Sequence, residues 1–333
     1  MKVIKLTKAQ DIGSYQPSNS LISVLQMAIS LGRPLLLAGK PGVGKTQFAH
    51  WVADQHIENF NKNVLQFNTK STSVFADLFY EYDAVSHFRD ANINNSLKAN
   101  QTKSAADYIT LTALGFAVLC AKGKDDEDDE ELNKIIQQSK QKLKISTTHL
   151  TEKSVVLIDE IDKAPRDFPN DLLYEIENLS FTIKEINKTI KLNDKEKENV
   201  VIILTSNDEK NLPDAFLRRC LFYYIDFPSE PELKAIVAKK LTISGADFTS
   251  DELAGLDEKI NWFFKIYHAK TIDKKPSTSE CIDWINYLKE HDLLNKDVKD
   301  CKDSFSCLIK KNEDLQELNK LFPGLTEANL LPS

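Results

Sequence analysis

The chain has no apolar run long enough to span a bilayer: its longest, Leu111 to Ala121, falls short of the ~20 residues a spanning helix needs. Met1 to Ser14 also lacks the apolar core of a secretory signal peptide, so a cytoplasmic protein with no membrane partner is expected. Cysteine is sparse. Cys120, Cys220, Cys281, Cys301 and Cys307 form no C-x-x-C pair and have no histidine at zinc-finger spacing, so reduced structural thiols are expected. The histidines are scattered, and His50 and His56 are wrongly spaced for two ligands on one helical face. Basic charge is lacking too. A formal net charge of −7 argues against a general nucleic-acid-wrapping surface, although a local basic pore is compatible with an acidic total; nucleic acid is not the expected partner, and peptide or protein is. No internal repeat is evident. What remains is 333 residues, 41% hydrophobic and 28% charged, an ordinary globular composition with room for two domains.

Against that background one motif stands out. Gly39-Lys40-Pro41-Gly42-Val43-Gly44-Lys45-Thr46 fits G-x-x-x-x-G-K-[ST] at every specified position. Context strengthens it: Leu35, Leu36, Leu37 and Ala38 precede it as a buried strand should, and Phe48, Ala49, Val52 and Ala53 follow at helical spacing. Backbone N–H groups of Gly42, Val43, Gly44 and Lys45 at the start of a helix would wrap a β-phosphate, glycine permitting the geometry. Lys45 would reach the β- and γ-phosphates, and the Thr46 hydroxyl would ligate Mg²⁺. A dinucleotide fingerprint is excluded, because Gln47 stands where its third glycine belongs.

Strand-like runs at Leu35–Ala38, Val64–Phe67, Ser154–Ile158, Val200–Leu204 and Leu221–Phe227 alternate with helical or irregular stretches. Apolar on both faces, they predict an α/β fold with a five-stranded, mainly parallel sheet over residues 1–228. Two interruptions are expected: a charged insertion at about 121–150, containing the acidic run Asp125 to Glu131 and read as solvated or as a docking site for a basic partner, and a β-hairpin at about 179–192. After Pro228-Ser229-Glu230-Pro231, residues 229–333 read as a smaller helical domain, with Leu233, Ile236 and Val237 on one face and Ile282, Ile285 and Leu288 on another.

Ser154 to Glu160 reads as a buried strand ending in two acids. Asp159 would hold Mg²⁺ through its water shell, and Glu160 would polarise the attacking water. Val201 to Asn207 is another buried strand, ending in an amide able to orient that water. Leu212 to Cys220 places Arg218 and Arg219 at the end of a short helix, where one could reach a neighbouring subunit's γ-phosphate or pair within the chain.

With these motifs in order, the chain resembles the AAA+ ATPases, most closely the MoxR branch, over most of residues 12 to 290. Gly39–Thr46 matches Walker A, Val155–Glu160 Walker B, Asn207 sensor 1, and Leu212–Arg219 the arginine-finger helix, with Arg219 at the finger position and Arg218 replacing a common acidic residue. The resemblance implies a P-loop AAA+ core followed by an all-α lid, ATP and Mg²⁺ as cofactors, and a homo-oligomeric, expectedly hexameric, ring. It also implies a protein client, such as a von Willebrand factor A domain protein, in assembly, metal insertion or defence. The sensor 2 arginine is missing: the register puts Ser279 there, with Lys274 or Lys275 as substitutes. A nucleic-acid-directed motor and an ATP-gated scaffold are the alternatives. A GTPase is disfavoured by the lack of an Asn-Lys-x-Asp signature.

Overall fold

A computed structural model of the chain describes residues 15–54, 63–97, 103–123, 129–143, 145, 153–207, 212–243 and 248–321. They group into two compact units. The first comprises Pro17–Gly39 and Lys45–Ile225; the second comprises Tyr15, Gln16, Lys40–Gly44 and the chain from Asp226 on.

In chain order the first unit runs α1 (Asn19–Leu31), β1 (Leu35–Ala38), α2 (Lys45–Asp54), β2 (Leu65–Asn68), β3 (Tyr80–Tyr82), α3 (Ala84–Leu97), β4 (Ile109–Leu111) and α4 (Ala113–Lys122). It continues through α5 (Glu130–Lys142), β5 (Ser154–Asp159), α6 (Phe168–Asn178), β6 (Ser180–Ile183), β7 (Lys188–Lys191), α7 (Asp194–Lys197), β8 (Val200–Ser206), α8 (Asp214–Leu217) and β9 (Leu221–Tyr224). The second unit holds α9 (Glu230–Ile243), α10 (Ser250–His268), α11 (Thr278–Glu290), a 3-10 segment Val298–Cys307 and α12 (Asn312–Leu321).

Five strands pair in parallel in the order β2-β5-β8-β1-β9. All four residues of β1 are buried, as are all but the last of β5 and all but the first of β8, which explains their unbroken aliphatic sequences. The sequence predicts β9 as far as Phe227, but it stops at Tyr224. Among the described residues its ladder partner is β1, which ends at Ala38 opposite Tyr224, with the Ile225 N–H donating to the Ala38 carbonyl at 2.8 Å just beyond. Phe227 instead stacks on Tyr267 in the second unit, ring centroids 4.2 Å apart.

Helix α4 is buried from Ala113 to Ala121, which accounts for the longest apolar run in the chain as a central core helix. Gly115 is required there: a Cβ would lie 1.9 Å from the Phe79 carbonyl oxygen. The segment expected to be solvated contains a packed helix. In α5, capped by the Asp129 side chain accepting from the Leu132 N–H, Leu132, Ile135 and Ser139 are buried. The Ser139 hydroxyl accepts from the Leu111 N–H at 2.8 Å and donates to the Ile135 carbonyl at 2.6 Å. Apolar residues spaced three apart among lysines and glutamines gave one face enough burial, about 1.5–3 kcal/mol per large side chain, to order it. The acidic run from Asp125 to Asp128 lies outside the described residues. Strands β6 and β7 pair antiparallel, with Phe181, Ile183 and Ile190 buried beneath them.

The second unit has its own core around Leu233, Val237, Leu256, Phe263, Trp284 and Ile285. The inner face of α11 is Cys281, Trp284, Ile285 and Leu288, with Ile282 only half-buried, because the Trp284 ring takes the centre and its indole N–H donates to Ser304 Oγ at 2.7 Å. Burial pushes the Cys120 and Cys220 thiols up to about 12, and Cys281 is raised for the same reason, so all three are neutral at physiological pH. No helix among the described residues is long and apolar enough to cross a membrane.

Candidate functional site

At the carboxyl ends of β1, β5 and β8 the first unit gathers five of the expected side chains. Lys45 opens α2 and is buried, its Nζ donating to the Gly39 carbonyl at 2.6 Å. The next residue, Thr46, turns its hydroxyl toward Asp159, 3.3 Å from Oδ1 and 3.4 Å from Oδ2. Asp159 is the last residue of β5. Glu160 follows with φ 56° and ψ 51°, a left-handed conformation that bends the chain sharply out of the sheet and aims its carboxylate at the tip of β8. There Asn207 Nδ2 donates to Glu160 Oε1 at 3.1 Å, while the Asn207 N–H donates to Asp162 Oδ2, also at 3.1 Å. Lys163 Nζ donates to the other carboxylate oxygen of Glu160 at 2.6 Å. Glu160 is therefore held from both sides, by an amide and by an ammonium.

Around these lie residues that no motif pointed to. Gln66 Nε2, on β2, is 3.4 Å from Asp159 Oδ2, and Thr205, fully buried on β8, contacts both acids. Only the parallel register reveals them, since it sets β2 and β8 on either side of β5.

The middle of the loop, Lys40–Gly44, groups with the second unit, where Gly42 and Gly44 have positive φ of 82° and 95°. A Cβ on Gly42 would lie 2.7 Å from Ser277 Cβ and 3.4 Å from Ser279 Oγ; one on Gly44 would lie 2.6 Å from the Tyr15 ring. Glycine is thus demanded both by conformation and by close approach. Ser277 and Ser279 therefore stand at the loop, whereas Lys275 donates its ammonium to the Ala269 carbonyl. Lys40 Nζ donates to the Tyr267 hydroxyl at 3.2 Å.

The arginines lie elsewhere. Arg219 Nε is 3.5 Å from Glu177 Oε2 and its guanidinium donates to the Ala215 carbonyl at 3.1 Å; Arg218 is exposed. Arg219 precedes Leu221, which pairs with Leu35 at the start of β1, whereas the loop leaves the far end of that strand. About 13 Å of strand separates the two ends.

A family profile described as "ATPase family associated with various cellular activities (AAA)" matches residues 35–228, a stretch that includes Gly39–Thr46, Asp159, Glu160, Asn207 and Arg219. The chain belongs to the AAA family. Its five-stranded parallel sheet and helical C-terminal region are the P-loop core and lid of an AAA+ protein. Among curated proteins no match is found. The donor set of this AAA protein suits a magnesium nucleotide: the hydroxyl of Thr46 beside the carboxylate of Asp159 offers the hard oxygens Mg²⁺ takes, and the glycines leave backbone where side chains would fill the space. Among the described residues no three His, Cys, Asp or Glu side chains converge on a further metal site.

Proposed function

We propose that this protein is a Mg²⁺-dependent ATPase of the MoxR type. It works as a ring, expectedly a hexamer, whose subunits complete one another's sites, and its work is the remodelling or assembly of a protein partner, a von Willebrand factor A domain protein being the class the resemblance favours. The observation that carries the hydrolytic reading is the Asn207–Glu160 hydrogen bond of 3.1 Å, beside the Thr46–Asp159 pair. A protein that only held nucleotide would gain nothing from an amide aimed at a second acid.

In this reading the N–H groups of Gly42 to Lys45 bind the phosphate chain, and the buried Lys45 ammonium turns from the Gly39 carbonyl to the β- and γ-phosphates. Thr46 and Asp159 would hold Mg²⁺, which when bound would offset the charge of the phosphates. Glu160 accepts the proton of the attacking water at a carboxylate oxygen, and Asn207 orients both. Arg219, too far from its own loop, stabilises the γ-phosphate of an adjacent subunit, exchanging Glu177 for it.

Calorimetry and turnover test the reading together. Lys45→Ala should abolish tight ATP binding, and Glu160→Gln should retain binding while turnover falls by roughly 10²–10⁴. Full turnover in the glutamine variant would refute Glu160 as the base. ATP binding with no turnover in the native chain would leave the ATP-gated scaffold instead.

A further inference from the structure

We propose that Thr205 is a positioning residue that sets the two acids of the site relative to one another, an inference resting on the reading of Asp159 as the metal-holding acid and Glu160 as the base. Its hydroxyl donates to Asp159 Oδ1 at 2.5 Å and accepts from the backbone N–H of Glu160 at 2.8 Å. One hydroxyl can do both, having one proton and two lone pairs. The residue is 0% exposed, and the parallel pairing Ile158↔Leu204 brings Thr205 level with Asp159, so the hydroxyl meets the β5 terminus just where the strand ends.

Each bond has a distinct consequence. Donation to Oδ1 fixes the rotation of the Asp159 carboxylate, which also receives the Thr46 and Gln66 side chains at 3.3–3.4 Å. Acceptance from the Glu160 N–H satisfies an amide that has left the ladder, at a residue held with φ 56°. That left-handed turn carries the Glu160 side chain toward Asn207, so the hydroxyl fixes the base through its backbone while Asn207 fixes it through its carboxylate. A purely structural role explains this poorly, because the strands keep their own backbone ladder whatever the side chain at 205. Apart from the carboxylate and the amide of these two acids, no hydrogen-bond partner of the Thr205 side chain is seen among the described residues.

Thr205→Val keeps the shape and removes the hydroxyl; Thr205→Ser keeps the hydroxyl and removes a methyl. Binding of a fluorescent ATP analogue is measured with Mg²⁺ and with chelator, and turnover at saturating ATP and Mg²⁺. In the valine variant the affinity in chelator should match wild type, the Mg²⁺-dependent gain should fall about tenfold or more, the size typical of losing an outer partner of a metal ligand, and turnover should fall by at least as much. Serine should restore both to within about twofold. The proposal is overturned if valine behaves as wild type in the Mg²⁺ arm, if serine loses as much as valine, or if wild-type affinity is indifferent to Mg²⁺. Should the valine variant fail to fold, Thr205→Ser against Thr205→Ala decides, since both lack the methyl and only serine keeps the hydroxyl. A wild-type protein that binds ATP in a Mg²⁺-dependent way without turning it over would remove the hydrolytic reading, while the Mg²⁺ arm would still decide the role of Thr205.

Discussion

Glu160 keeps its carboxylate between the Asn207 amide and the Lys163 ammonium, and the two partners differ in kind. The ion pair spans one turn and both side chains are about 40% exposed, so it contributes no more than about 1 kcal/mol. Lys163→Ala should therefore leave the melting temperature within a few degrees of wild type, measured by calorimetry; a change in turnover without a change in melting would then report on the carboxylate itself. Asn207→Ala should keep ATP affinity and lower turnover by at least about tenfold, because it removes the amide that holds the Glu160 carboxylate. At this scale the residues with unusual spacing were legible in the sequence. Lys45, Thr46, Asp159, Glu160 and Asn207 announce themselves through strand-then-polar patterns, whereas Gln66 and Thr205 look like any strand residue until the register places them beside Asp159.

Elements show the same division between local and distant causes. Helix α10 begins with Thr249 and Glu252, a reciprocal cap readable from the sequence alone. Its Glu252 also accepts from Lys289 of α11 at 2.9 Å, a contact that only packing supplies. The Thr249 backbone N–H and then Lys289 hold the Glu252 carboxyl down from its ordinary 4.5 to about 2. A depressed carboxyl favours the folded state above its unfolded pKa, and that contribution is lost as pH falls from about 4.5 towards 2. Chemical denaturation should find the helical unit weakening over that window, and Glu252→Gln should flatten the dependence. Helix α4 gives a second test. Alanine is the better helix former by about 1 kcal/mol, yet Gly115→Ala drives a methyl into the Phe79 carbonyl, so the variant should be destabilised by a net ~1–3 kcal/mol in urea. The end of β9 escaped the sequence for a related reason: Leu221 to Phe227 is strand-like throughout, but a strand stops where its neighbour does.

For the whole molecule, the arrangement of Arg219 carries the strongest prediction. Since its guanidinium pairs with Glu177 about a strand's length from its own loop, Arg219→Ala should lose activity alone yet regain part of it when mixed with Glu160→Gln subunits, measured by turnover of co-assembled chains. No recovery would place the arginine's role within one subunit. The order β2-β5-β8-β1-β9 also governs how the protein is made. Among the described residues β1 pairs with β8 and β9, and Leu35 waits for Ile203, its first ladder partner in chain order. At the usual pace of translation that is a delay of roughly 10–30 s, during which the Leu-Leu-Leu strand has been made without either of its sheet partners. The strand that leads into the loop is thus made long before either strand that flanks it, and the sheet closes around it only once β8 and β9 have followed.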